Sequence, residues 1–241
     1  MVPKGGAYLP QNPGIVNRET SGTASALRPR ELRGFSRRHA GLHAPFGPAN
    51  WLRMRLDALR LQLRTYRPAN AANATEAAFV DRMLELSRAE GACERAHFSP
   101  GHFTASAFVL SPGRTHLVLI HHKKLGIWVQ PGGHVEPQDP DLMSAARREV
   151  LEEVGLAELE PLSGPDGSPI FDVDIHQIPA RKADPAHEHF DVRFAFVAKS
   201  QALVHSEEVA DLRWVWLADV ERMGTDESVL RAVNKLRALE R

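Results

Sequence analysis

One cysteine in 241 residues, Cys93, leaves no partner for an internal disulfide and too few thiols for a cysteine zinc cage. A reducing, cytoplasmic compartment fits this usage, with Cys93 as a small buried or half-buried filler. No stretch approaches the ~18 uninterrupted apolar residues of a membrane span, and the N-terminus lacks the apolar run of a secretory signal. Net charge is missing as well. Lys+Arg 30 and Asp+Glu 30 cancel, so a polyanion must be gripped by a local cluster, and bulk nucleic-acid binding is not expected. What is present, 43% hydrophobic and 25% charged residues, argues for a globular core and against a chain that is disordered throughout. A soluble, intracellular protein without a membrane partner is expected.

Residues 1–50 differ from the rest: thirteen Gly plus Pro and seven Lys plus Arg stand against two acids, Glu19 and Glu31. So few apolar residues cannot offset backbone entropy, and disorder is the first reading. The Arg-rich, acid-poor character also suits a transit peptide or a nucleic-acid tail, and Met54 allows a start downstream of Met1. From Trp51 to Tyr66, Leu52, Leu56, Leu59 and Leu63 recur at helical spacing, and Asn73-Ala74-Thr75 caps a second helix running to about Gly91. Phe103–Leu110 and His116–His121 read as a hairpin across Ser111-Pro112-Gly113-Arg114, with later strands at Phe171–Ile175, Phe190–Ala198 and Leu212–Leu217. Helices are expected from Asp141 to Val154 and from Asp226 to Leu239. The chain thus divides into an extension over 1–50, a helical segment over 51–95 and an α+β domain over 96–241.

The helix from Asp141 is oddly built. At 100° per residue, Glu152 and Glu153 lie about 60° and 40° to either side of Glu149, so three carboxylates share one face opposite Met143, Ala146, Val150 and Val154. Like charges at this spacing repel, and nothing basic four residues downstream relieves them. Clustered carboxylate oxygens suit a hard ion such as Mg²⁺, which completes its shell with water and substrate phosphates. A solvated acidic face is the alternative for three glutamates alone.

Gly132-Gly133-His134-Val135-Glu136-Pro137-Gln138-Asp139, followed by Arg148-Glu149-Val150-Leu151-Glu152-Glu153-Val154-Gly155-Leu156, resembles the Nudix box. Gly133 matches its first glycine, and Arg148, Glu149, Val150, Glu152, Glu153, Gly155 and Leu156 match its second half. Asp139 stands where the pattern has Glu, and eight residues rather than seven separate it from Arg148. The resemblance implies a Nudix-type α/β/α sandwich with a mixed sheet, preceded by the short helical segment. It implies Mg²⁺- or Mn²⁺-dependent hydrolysis of a nucleoside diphosphate linked to another moiety. Glu149, Glu152 and Glu153 would hold the metal with the carbonyl near Gly132, and Arg148 would orient a glutamate. Glu149 is one candidate general base, and Glu207 and Glu208, just before the Leu212–Leu217 strand, are the others. A homodimer is allowed.

In His187-Glu188-His189-Phe190-Asp191, alternation puts His187, His189 and Asp191 on one face of a strand. The run is similar to a metallo-β-lactamase metal motif, but Val192 stands where the next histidine belongs. Within a Nudix domain, His187 and His189 are assigned, with His134, to substrate contacts. His121-His122-Lys123-Lys124 is placed in a loop that could receive phosphate charge, and Trp214 and Trp216 are expected to face the core with Leu212. Two further readings are a catalytically idle Nudix module that binds a nucleotide or a partner, and an isopentenyl-diphosphate isomerase. The intact box residues speak against the first, and the position of Cys93 before the box against the second.

Overall fold

The computed structural model describes residues 48–66, 73–164, 167–207 and 209–239. All that follows concerns the unit Ala44–Arg241. The expectation of disorder over 1–50 falls almost wholly outside the described residues, as does Glu208; the side chain of Leu52 is outside them too.

Helix α1 (Pro48–Thr65) buries Leu56, Leu59 and Leu63, the stripe its leucine spacing predicts. Helix α2 (Ala74–Leu86) starts at Asn73, whose side chain accepts the Glu76 amide at 3.3 Å. It stops short of Gly91 because Ser87 turns its hydroxyl back onto the Leu84 carbonyl at 2.7 Å, a local bond that competes with helix continuation.

The sheet is built around β1 (Gly101–Leu110) and β7 (His187–Ala198), which run parallel from Gly101↔Glu188 to Leu110↔Val197. Each of these two strands carries two partners in succession on its outer edge. Along β1 these are β4 (Gly132–His134), then β2 (His116–His122); along β7 they are β6 (Asp172–Ile178), then β5 (Leu159–Leu162). Strand β8 (Val209–Trp216) pairs along the far edge of β2, and β3 (Trp128–Val129) follows β1 along its near edge. Dividing one edge between two partners curls the mixed sheet.

Alternation along β1 and β7 feeds two cores. Phe103, Ala105, Ala107 and Val109 join Phe190, Val192, Phe194 and Phe196 under α1, α2 and helix α3 (Leu142–Val154), which contributes Ala146, Val150 and Val154. Phe108, Leu110 and Ala195 face the other way, onto Val229, Val233 and Leu236 of helix α4 (Glu227–Leu239). Helices therefore cover both faces, and the α/β/α sandwich with a mixed sheet is the fold observed.

Three short strands, β3, β4 and β5, were not expected. They hold two, three and four residues, too few to show a period against the Gly and Pro around them. His121 and His122 end β2 rather than lying in a loop; only Lys123 and Lys124 occupy the turn. Trp216 does not face the core: it is 55% exposed at the end of β8 and covers the His116 ring at 4.1 Å, whereas Leu212 and Trp214 are partly buried against the first core.

Candidate active site

The second face of the central strands changes character halfway along. Where Phe108, Leu110 and Ala195 are apolar, the earlier positions on the same face are His102, Thr104 and Ser106 on β1 and His189, Asp191 and Arg193 on β7. Register extends these into rungs: His176–His189–His102, then Asp174–Asp191–Thr104–His134, then Asp172–Arg193–Ser106–Gly132. This polar floor lies at the bottom of a cleft of about 2020 Å³, which Glu149 and Glu153 also line. Ordinary ligand pockets hold roughly 300–1,000 Å³, so the space suits an extended ligand.

Three features of the chain aim the box carboxylates. Asp141 caps α3 by accepting the Ser144 amide at 2.7 Å, and Gly155 closes the helix in the left-handed region at φ 77°. The Gly132 amide donates to Glu153 Oε2 at 3.0 Å. A Cβ at Gly133 would stand 2.6 Å from Glu149 Oε1, so only glycine leaves room for that carboxylate.

Arg148 is the hub of the loop before the helix. It donates through Nε and Nη2 to both oxygens of buried Asp139, through Nη2 to the His134 carbonyl at 2.9 Å, and through Nη1 to Glu149 at 3.0 Å and Glu152 at 2.8 Å. Burial alone works against the guanidinium charge, but the hydrogen bond to Asp139 and the charge of Glu149 outweigh it and hold Arg148 protonated above its ordinary range. The like-charge crowding anticipated on this helix face is therefore relieved from upstream. Arg55 of α1 fastens the same loop by donating to the carbonyls of Glu136 and Pro137.

Of the residues singled out from sequence, Glu149, Glu153, Gly132, His134, His187 and His189 all line the cleft. Glu152 is not part of the cleft lining: it is about half-exposed and accepts from Arg148. Glu207 is an exposed turn residue that is not part of the cleft wall, and its carbonyl accepts from Lys123.

Sequence reasoning missed His102 and the charge network centred on Arg193. Arg193, 2% exposed, donates to Asp191 at 2.9 Å and to Asp172 at 3.3 Å; Arg231 and Lys235 of α4 reach Asp172 at 3.0 and 2.6 Å, and Lys235 also meets Glu76 of α2 at 2.6 Å. The signal for His102 was present. His102, Thr104 and Ser106 alternate with Phe103, Ala105 and Ala107, a period of two with one polar face.

A hard divalent ion fits the box: the donors are carboxylate oxygens, and the missing side chain at Gly133 lets the Glu149 carboxylate lie close against the backbone.

The sequence matches the NUDIX domain family over residues 101–233. No curated protein matches the chain. Among solved structures, a NUDIX-family hydrolase from Clostridium perfringens is similar at 25% identity and TM-score 0.43, covering 57% of this chain and 97% of its own. The NUDIX domain of Shewanella oneidensis NrtR, complexed with ADP ribose, is similar at 20% identity and TM-score 0.44, covering 58% and 88%. The C. elegans Ap4A hydrolase is similar at 17% identity and TM-score 0.43, covering 57% and 96%. The family match spans more than half of the chain, and this protein belongs to the Nudix family as a Nudix hydrolase. Nothing in the site favours the idle-module alternative.

Proposed function

We propose that the protein hydrolyses the diphosphate linkage of a nucleoside diphosphate joined to another moiety, using Mg²⁺ or Mn²⁺. The observation that carries this reading is the convergence of Glu149 and Glu153 on Gly132 and Gly133 inside the cleft. Glu149, Glu152, Glu153 and the Gly132 carbonyl would hold the ion, which when bound neutralises the diphosphate and lowers the barrier to attack on phosphorus.

The chain's own residues supply positioning. Asp139 fixes Arg148, Arg148 fixes Glu149, and the Gly132 amide fixes Glu153, so the carboxylates need little reorganisation when charge develops. Glu149 is the general base of this proposal, because it lines the cleft and Glu207 does not. The cleft's size supports a substrate with a second moiety beyond the diphosphate. Residues 96–241 carry the chemistry, the segment 51–95 braces the box loop through Arg55, and the enzyme works in the cytoplasm.

A phosphate-release screen of the purified chain with Mg²⁺ and Mn²⁺, coupled to a phosphatase that attacks the phosphomonoester products but not the intact diphosphates, tests the proposal. The panel holds nucleoside triphosphates, dinucleoside polyphosphates, nucleotide sugars, dinucleotide cofactors and capped RNA. Metal-dependent turnover of a linked nucleoside diphosphate is expected; no turnover of any diphosphate would overturn it.

A further inference from the structure

The cleft floor gathers imidazoles for which the box chemistry has no use. Ring nitrogens of His102, His134 and His189, one residue from each of β1, β4 and β7, all lie within 4.8 Å of one another. The ring centroids are 5.1 Å apart for His102 and His134, 4.9 Å for His102 and His189, and 5.2 Å for His134 and His189.

The protonation of His102 follows from its neighbours. Its Nδ1 lies 3.2 Å from the His97 carbonyl, which can only accept, so Nδ1 bears the hydrogen and Nε2 keeps a lone pair. His102 is 0% exposed, and no protein group among the described residues hydrogen-bonds its Nε2. A buried acceptor left unsatisfied costs about 1–3 kcal/mol, a penalty that a ligand at the site can remove. Phosphate oxygens are acceptors too and cannot satisfy that lone pair. A cation can. A backbone carbonyl on the far ring nitrogen is also the usual device that orients a metal-binding imidazole.

The other two rings are partly buried in the same cluster, and the rings of His176 and His187 flank His189 at 5.4 and 5.3 Å. Neutral imidazoles offer lone pairs to metals and little attraction to an anion.

We propose that His102, His134 and His189 form a three-histidine site for a zinc-class transition-metal ion, separate from the carboxylates of α3. Imidazole nitrogen selects such ions over Mg²⁺, which prefers oxygen, so the two sites sort their metals by ligand chemistry. Three protein ligands leave a fourth position for water or an oxygen of the cleft's occupant. Tetrahedral zinc needs its nitrogens about 3.3 Å apart, so the rings close inward when the ion binds. The site stands whether or not the proposed hydrolysis is correct.

Cobalt(II) and zinc titrations of the metal-depleted full chain test it. One equivalent of either ion is expected to bind in the presence of excess Mg²⁺, with cobalt giving the visible bands of a four-coordinate site. His134→Asn and His189→Gln, both at partly exposed positions, should lose that equivalent while keeping the metal-free melting temperature; Glu152→Gln should retain it. No stoichiometric binding, or binding that survives in both histidine variants, overturns the proposal. If a variant fails to fold, proton NMR of the wild-type cobalt complex decides: paramagnetically shifted imidazole signals from three rings uphold the site, and their absence overturns it.

Discussion

Asp139 grips Arg148 through both carboxylate oxygens, Oδ1 to Nε at 3.2 Å and Oδ2 to Nη2 at 3.1 Å. With this pair the chain departs from the usual box pattern and still closes a two-point contact on the guanidinium. Asp is one methylene shorter than Glu, and the additional residue before Arg148 lies in the segment that brings Asp139 to the guanidinium. The Glu136 amide donates to Asp139 Oδ2 at 2.8 Å, so the loop folds back around the pair.

Asp139→Asn should therefore weaken both stability and catalysis. Charge-assisted hydrogen bonds of this kind contribute about 1.5–3 kcal/mol, and Arg148 would keep Glu149 without a fixed anchor. Thermal melts should fall by a few degrees, and kcat should drop more than KM rises. A normal melt with normal kcat would show that Asp139 is a bystander.

Gly133→Ala separates packing from position. The new Cβ would fall 2.6 Å from Glu149 Oε1, forcing the carboxylate aside without touching the core. We expect a folded protein with an apparent Mg²⁺ requirement raised by on the order of tenfold, the effect of one weakened ligand. An unchanged metal dependence would mean that Glu149 does not sit at the ion.

The same structure shows which parts of the site could be read from sequence. Glu149, Glu153 and Arg148 were legible because one helix sets their spacing, and His187, His189 and Asp191 because one strand does. Glu152 shares the helix arc with Glu149 and the same Arg148 partner, yet it is about half-exposed and outside the cleft lining, a detail that periodicity does not carry. His102 and His134 are brought to His189 only by strand register. The buried cluster of Glu76, Asp172, Arg193 and Lys235 joins residues up to 159 positions apart, and no local pattern announces such contacts. Most of the fold followed from hydrophobic periodicity. What escaped were strands too short to have a period, and Trp216, whose apolar character predicted burial but whose place at a strand end left it exposed.

Acid should destabilise the protein through Asp174. Burial on its own raises this carboxyl, but the His176 hydrogen bond and the charges of Arg193 and Arg231 outweigh burial and bring it from 3.8 down to about 2. A folded-state value below the unfolded one means the stabilisation is complete above about pH 5 and is lost as pH falls toward 2. The span corresponds to ~2 kcal/mol. Denaturant melts of Asp174→Asn should show a correspondingly smaller loss across that window than the wild type; an equal loss would assign the acid sensitivity elsewhere.

If the carboxylates of α3 hold the ion that drives hydrolysis, Glu153→Gln should separate activity from stability. Glutamine keeps the side chain's length and an oxygen that can accept the Gly132 amide, while removing one negative charge from the site. On a substrate found in the screen, initial rates at saturating Mg²⁺ are measured beside metal-free thermal melts. The expected result is a melting temperature within about two degrees of wild type and a rate lower by on the order of 100-fold or more. A near-normal rate in the folded variant would contradict it and move the chemistry away from the box.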